Sequence, residues 1–274
     1  MRNHKHYMTE CFIQLKGGLC NQLFQVAALL QHCIRNKHMP KISGYCMYKP
    51  TYWDTWLQSA ARYIGHPVDG AHVWHEPEFH YIPIPADAQL LDGFFQSSKY
   101  FADISSVIRH MFDISPGQQE EVRATYAPIL TDEVCERAIV IHVRRGDYIT
   151  GPTNPTKHGF LSADYYRRGI AEVRARITGG AFAPLLVFSD DIAWCRAQDF
   201  FEGAIFVDEP YDVKALWLMS RYQNYVMSNS SFSWWAVWLG RTARCVVAPD
   251  RWFGHPGPYD FEDIYEPDWI KIAP

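Results

Sequence analysis

The chain is short of several features that would set its class at once. No apolar run of about 18 residues occurs, so no membrane-spanning helix is expected. The tryptophan-rich stretch 232–239 is too short for one. The first ten residues, MRNHKHYMTE, carry no apolar h-region, so no signal peptide is expected and the compartment reads as cytoplasmic. No C-x-x-C pair is present. The seven cysteines (11, 20, 33, 46, 135, 195, 245) are scattered and odd in number. They read as free thiols in a reducing compartment, not as a disulfide framework. An excess of positive charge is also missing. The formal charge is −4, so binding of nucleic acid by a basic surface is not expected and any anion site must be local. Internal repeats and low-complexity tracts are absent as well.

What is present is globular. Apolar residues make up 48% of the 274 positions and charged residues 20%, enough for one large domain or two small ones. Residues 138–148, AIVIHVRRGDY, are the centre of the reading. Ala138 to Val143 is a short apolar run rich in β-branched types, which suits a buried strand better than a helix. It ends in Arg144, Arg145, Gly146 and Asp147. That ending fits a solvated strand tip with a surface ion pair, or a guanidinium fork for phosphate oxygens with Asp147 holding one arginine.

Upstream, Glu10–Leu15 reads as a strand running into Gly17-Gly18-Leu19-Cys20-Asn21-Gln22. Apolar residues then recur at helical spacing to about Lys37. Strand, glycine pair and helix start outline a phosphate-cradling turn, although neither G-x-G-x-x-G nor G-x-x-x-x-G-K-[ST] occurs. Asn21 reads either as a helix N-cap or as a side chain facing a cleft. Residues 38–50 read as loop, 51–64 as helix, and 72–75, 79–82 and 90–95 as short strands. Residues 100–112 and 116–126 read as helices. Downstream of the central strand, helix is expected from Ser162 to Ile177. Strands are expected at 184–188, 204–207, 225–227 and 245–248, with helices between them. Such alternation implies a parallel sheet with crossover helices.

Ligands of such sheets sit beyond the carboxyl ends of the strands. Those ends carry R-R-G-D, S-D-D (189–191), Asp208 and S-N-S-S (228–231). Two arginines and a serine-rich helix N-terminus suit a diphosphate, and the acidic tips suit donors from a ribose or a guanine edge. Asp190 and Asp191 read equally well as helix caps. D-x-D, with which many nucleotide-sugar enzymes hold a divalent cation, does not occur, and neither does H-x-x-x-H. No metal and no cofactor is expected. Stabilisation of a leaving diphosphate then falls to Arg144 or Arg145.

GGLCNQLFQ, HVRRGDY, and SNSSFSWWAVWL followed by VVAPDRWF resemble glycosyltransferase family 11, the α-1,2-fucosyltransferases. HGFLSADYY and LLVFSDD sit at matching places, and the similarity runs from residue 10 to about 254. The family usually reads G-G-L-G-N-Q, and Cys20 replaces its fourth residue here. The resemblance implies an α/β fold of the GT-B type with two Rossmann-like lobes and the donor site in the C-terminal lobe. The N-terminal lobe is expected at 1–136 on the acceptor side and the nucleotide-sugar lobe at 137–250. A segment 251–274 is expected to pack back on the N-terminal lobe.

The implied reaction is inverting, metal-independent transfer of L-fucose from GDP-β-L-fucose, a substrate and not a cofactor. The implied acceptor is a galactose-terminated glycan. Arg144 is implied to meet the diphosphate with Arg145 beside it, and His142 to lie near the guanine. Asp190 or Asp191 would read the guanine, with Asp191 favoured. Ser230, Ser231 and Phe232 would lie by the phosphates, Gly17 and Gly18 would allow close approach, and Asn21 would face the reaction centre. Asp147 is a candidate base or arginine support. His158, Tyr165 and Tyr166 are acceptor-side candidates. His142 also reads as a core histidine, Trp234 and Trp235 read as core ahead of a sugar platform, and Tyr165 and Tyr166 stay open between core and acceptor side. A GDP-fucose transferase of other linkage or with a protein acceptor, an inactive nucleotide- or glycan-binding protein, and a nucleotidase remain as alternatives. Oligomeric state is left open.

Overall fold

The structure, a computed structural model, describes residues 9–47, 49–150, 159–177, 183–240, 243–254, 257–258 and 260–274. It divides into two compact units, one of residues 1–113 with 260–265, the other of 114–259 with 266–274. The division falls ahead of the expected boundary at 136. The C-terminal segment is shared: 260–265 belongs with the first unit and 266–274 with the second.

The first unit holds a parallel sheet of four strands, β1 (Glu10–Lys16), β2 (Met39–Met47), β3 (Val73–His75) and β4 (Leu90–Asp92), in the order β2-β1-β4-β3. Helix α1 (Leu19–Asn36) follows β1 directly and is buried along most of its length. Its N-cap is Gly18, so the N-cap reading of Asn21 is corrected: Asn21 is the third helical residue. Residues 38–50, expected as loop, contain β2. Pro40 and Gly44 are loop signals, but an edge strand tolerates a missing donor and a flexible residue. Residues 51–64, expected as helix, form only a 3-10 segment at Gln58–Tyr63 after a series of turns. Trp56 and Leu57 are nevertheless buried. No strand forms at 79–82. The expected helix at 100–112 is split into a 3-10 segment, Ser98–Ile104, and α2 (Ser105–Met111).

The second unit opens with α3 (Pro116–Thr125), which Ser115 and Gln118 start with a reciprocal capping box, and α4 (Asp132–Arg137). Six parallel strands follow: β5 (Ile139–Val143), β6 (Leu185–Ser189), β7 (Ile205–Val207), β8 (Asn224–Val226), β9 (Cys245–Pro249) and β10 (Ile270–Ile272). Their order is β10-β9-β8-β5-β6-β7. The chain thus winds outward from β5 through β6 to β7, then returns to β8 beside β5 and winds the other way. This is the doubly wound order with its switch point between β5 and β8. The helices are α5 (Gly146–Thr150), α6 (Ala163–Arg176), α7 (Ile192–Arg196), α8 (Asp212–Met219) and α9 (Ser231–Leu239).

Every residue of β5 is buried, as the central strand of a parallel sheet covered on both faces must be. Ile139, Ile141 and Val143 point into a core shared with Val187, Val226 and Val247 and with Tyr165, Tyr166, Ile170 and Val173 of α6. Trp234, Trp235 and Trp238 of α9 are buried and packed on one another, and Trp269 meets Trp234 edge-on. The core reading of Trp234 and Trp235 therefore holds. All seven cysteines are free. No helix among the described residues is long and apolar enough to cross a membrane.

Helix α6 approaches the sheet closely at Gly169, where a Cβ would sit 2.7 Å from Val226 Cγ1 and 3.5 Å from Val247 Cγ1. A β-branched neighbour in a strand has little room to yield. Gly169→Val is therefore expected to destabilise the second unit by about 2–3 kcal/mol through overpacking. A urea-unfolding midpoint equal to that of the parent chain would contradict the close approach.

Candidate functional site

His142 is the penultimate residue of β5 and is only 6% exposed. Its Nδ1 lies 2.7 Å from Ser228 Oγ, just beyond β8. Its ring stacks on Phe232 of α9 at 5.4 Å and 30°. Burial first, and the positive charge of Arg144 second, push its pKa from 6.5 down to about 3. The ring is therefore neutral, and one of its nitrogens is a donor and the other an acceptor. Ser233 Oγ donates to the Ser228 or Ser230 carbonyl, at 3.0 and 3.1 Å, which ties the first turn of α9 to the end of β8.

Beyond Val143 the two arginines meet the two aspartates that follow β6. The register pairs Val143 with Ser189, so the tips of β5 and β6 emerge side by side. Arg144 NH1 lies 3.1 Å from Asp190 Oδ2, and Arg145 Nε lies 3.1 Å from Asp191 Oδ2. The Arg145 guanidinium also lies 4.1 Å from the centre of the Trp194 ring, a cation–π contact. Arg144 lies over Tyr148 at 5.7 Å. Asp190 further accepts the backbone N–H groups of Arg145 (2.8 Å) and Gly146 (3.1 Å), which start α5. Asp191 caps α7 by accepting from Trp194 N at 3.0 Å. Both bland readings thus hold in part: each aspartate caps a helix start, and each pairs with an arginine. Both arginine side chains keep some exposure, 33% for Arg144 and 17% for Arg145.

The S-N-S-S block closes the other side of the switch point. Ser230 is the N-cap of α9 and accepts from Phe232 N at 3.3 Å. Ser231 and Phe232 form the first turn and are half-buried. Asn229 Nδ2 donates to the carbonyls of Gly159 (3.2 Å) and Trp252 (3.0 Å), and the Asn229 carbonyl accepts from Tyr148 Oη at 3.0 Å. The connections after β5, β8 and β9 therefore meet at this residue. The positive end of the α9 dipole and its first N–H groups face the same edge as the arginines, an arrangement suited to an anion.

The structure brings together His142, Arg144, Arg145, Asp190, Asp191, Ser230, Ser231 and Phe232, all in the second unit. Gly17, Gly18 and Asn21 lie at the carboxyl end of β1 in the first unit. Gly17 has φ +82, and a Cβ there would lie 2.5 Å from Asn21 Nδ2, so glycine is required on both counts. Asn21 Oδ1 accepts from Gln96 Nε2 at 2.8 Å. Tyr165 and Tyr166 are corrected: at 0% and 1% exposure they are core residues of α6, and Tyr165 Oη donates to the Met227 carbonyl at 2.6 Å. Neither offers surface to an acceptor. His158 and the Asp147 side chain lie outside what the structure describes. Asp208 is exposed at the tip of the edge strand β7. Among the described residues no group of three or more His, Cys, Asp or Glu is arranged to hold a metal ion. Sequence reasoning did not single out Ser228, Asn229, Tyr148 or Trp194. Ser228 and Asn229 were within reach, as part of the polar tip after β8. Trp194 carries no local signal, because its role depends on the guanidinium laid over it.

The profile of glycosyl transferase family 11 matches residues 68–273. An α-1,2-colitosyltransferase of Escherichia coli is 30% identical over 190 residues, which cover 66% of this chain and 61% of that protein. The chain thus spans about three fifths of the length of that relative. A galactoside 2-α-L-fucosyltransferase of Caenorhabditis elegans is 26% identical over 292 residues, covering 95% of this chain and 78% of its own length. Among solved structures, NodZ α-1,6-fucosyltransferase soaked with GDP-fucose superposes with a TM-score of 0.52 at 11% identity, over 84% of this chain and 92% of its own. At that identity the likeness speaks for the fold alone, a GT-B-like arrangement of parallel sheets and helices.

The neutral histidine has a measurable consequence. Unfolded, His142 takes up a proton below its ordinary pKa of 6.5, and folded it resists protonation down to about 3. Between those values the unfolded chain binds more protons, so stability rises with pH and is lost as pH falls through the window. His142→Gln is expected to flatten the fall of Tm between pH 6.5 and pH 3. An unchanged slope in the variant would mean that the ring is not held neutral.

Proposed function

The chain belongs to glycosyl transferase family 11, and from that premise we propose that it transfers L-fucose from GDP-β-L-fucose to the 2-hydroxyl of a terminal galactoside. The proposed linkage is α-1,2, formed with inversion and without a divalent metal, in the synthesis of a surface polysaccharide or oligosaccharide. The observation that carries the reading is that two guanidiniums, held by the aspartates after β6, and the serine-capped start of α9 lie at the carboxyl ends of neighbouring strands β5 and β8. The donor then lies in the second unit. Arg144 and the first turn of α9 hold the diphosphate, with Ser230, Ser231 and Phe232 beside it. His142 lies near the guanine. Asp191 takes the guanine N–H donors with lone pairs left over from its bonds to Arg145 and Trp194.

In the proposed step the bond from the fucose anomeric carbon to the β-phosphate oxygen breaks ahead of attack, and the electron pair leaves with GDP. Negative charge grows on the phosphate oxygens, where Arg144 and Arg145 already supply donors. That is preorganised stabilisation. The galactose 2-hydroxyl attacks from the opposite face, which inverts the anomeric configuration. With an oxocarbenium-like transition state a weak base suffices, and Asp147 is the proposed one. Asn21, whose side chain is fixed by Gln96, is proposed as a further residue of the reaction centre on the family resemblance alone.

The α-1,2-colitosyltransferase relative favours a second reading, transfer of colitose by the same machinery. Turnover of GDP-linked fucose and colitose against a panel of galactosides, with the product linkage read by NMR, separates the two readings. A titratable GDP complex without turnover of either donor would instead indicate a binding protein. Arg144→Ala is expected to lower kcat by roughly 10²–10³, as does loss of one charge-stabilising donor. Near-normal kcat in that variant would remove Arg144 from the mechanism. Excess EDTA is expected to leave turnover unchanged, and restoration of lost activity by magnesium would refute the metal-independent reading.

A further inference from the structure

We propose that Asp190 is a positioning residue: its carboxylate folds the Arg144–Arg145–Gly146 turn and aims Arg144, and it does not read the nucleotide base. The proposal rests on the reading above for the identity of the ligand, and on geometry alone for the role of the turn. A carboxylate offers about four lone-pair sites. Asp190 has three of its sites engaged, by Arg145 N at 2.8 Å, Gly146 N at 3.1 Å and Arg144 NH1 at 3.1 Å. Asp191 engages two, with Arg145 Nε and Trp194 N. The two neighbours therefore have different tasks. Asp191 keeps two acceptor sites for a ligand, whereas Asp190 keeps one and has both oxygens committed to the turn.

The turn needs such a support. Two adjacent arginines repel each other, and α5 begins with backbone donors that no earlier turn can satisfy. One carboxylate from the neighbouring strand tip answers both requirements. Gly146 belongs to the same device. A Cβ there would lie 2.8 Å from Asp190 Oδ2 and 3.2 Å from its Cγ, so a side chain at this position would push the carboxylate off the backbone. The G of R-R-G-D is then explained by the aspartate across the sheet edge, since no positive φ is recorded for it.

Asp190→Asn tests the role. The amide nitrogen would point its own hydrogens at Gly146 N–H and the Arg144 guanidinium, while the shape is kept. The expected result is a fall in kcat of roughly 10- to 100-fold, the size expected when charge-assisted bonds are lost. Inhibition by GDP and by pyrophosphate should weaken by similar factors, because the damage lies at the phosphate side. Hydrogen exchange at the Arg145 and Gly146 amides should quicken. Gly146→Ala, which pushes the carboxylate away without removing it, should reproduce all of this, and it serves if Asp190→Asn fails to fold. A variant with raised donor KM, unchanged kcat and unchanged pyrophosphate inhibition would make Asp190 a base reader and overturn the proposal. Unchanged exchange at the two amides would overturn it as well. If the parent chain neither binds GDP nor turns over the donor, the proposed function fails, and the exchange rates still decide the role of Asp190.

Discussion

Two guanidiniums at the end of a buried strand are the constraint around which the second unit is built. β5 is the central strand of its sheet and has no solvent on either face. Charge can appear only where the strand stops, and two like charges in sequence need counter-charges from a neighbour. The neighbour is β6. Its register with β5 places Ser189 opposite Val143, so the next two residues of each strand form the pairs Arg144–Asp190 and Arg145–Asp191. The sheet order therefore does two things at once. It makes β5 and β8 the switch point, the place where sheets of this order take their ligands, and it makes β6 the source of the carboxylates on the other side.

The same edge explains why a neutral histidine is tolerated. His142 sits one residue inside the charged tip, where burial and the adjacent Arg144 both oppose a second positive charge. Ser228 supplies the hydrogen bond that a buried ring nitrogen needs, and Phe232 covers its face. A protonated ring would disturb the field of the arginines. A neutral one leaves the positive potential of the edge to the two guanidiniums and the start of α9.

How much of this was legible in the sequence follows from burial. β5, β6 and β9 are short apolar runs because both faces of a parallel sheet are covered, and the reading found them with ends close to the observed ones. α9 was legible from its capping serine and its run of tryptophans. β2 was not, because an edge strand accepts Pro40 and Gly44, the residues that mark loops elsewhere. β10 has three residues, one of them a lysine, too few to show alternation. The boundary at 113 is hidden because Ile114 and the Ser115 cap continue the chain without a change in composition. Within the site, the arginines, aspartates and serines could be named because polar residues at the ends of buried strands are conspicuous. Tyr165 and Tyr166 stayed open because a place beside the His158-Gly159 loop does not tell whether a helix start faces the core or solvent. The bond from Ser228 to His142 spans 86 residues of sequence and depends on β8 returning beside β5, which local pattern does not encode.

The arrangement carries an apparent contradiction. Arg144, Arg145, Asp190 and Asp191 sum to no net charge, yet the edge is proposed to hold a diphosphate. Removing the aspartates would raise the positive potential of the edge. It would also leave two long side chains free to rotate, and each would have to be ordered again as the reaction charge develops. Held by carboxylates, the guanidiniums keep one geometry before, during and after bond breaking. Catalysis depends on how much better the transition state is bound than the ground state, not on how tightly the ground state is bound. Fixed arginines keep their full response to the additional charge on the departing phosphate. The counter-carboxylates are thus consistent with an anion site built for release as well as capture, in which the net attraction comes from the start of α9 and the orientation comes from β6.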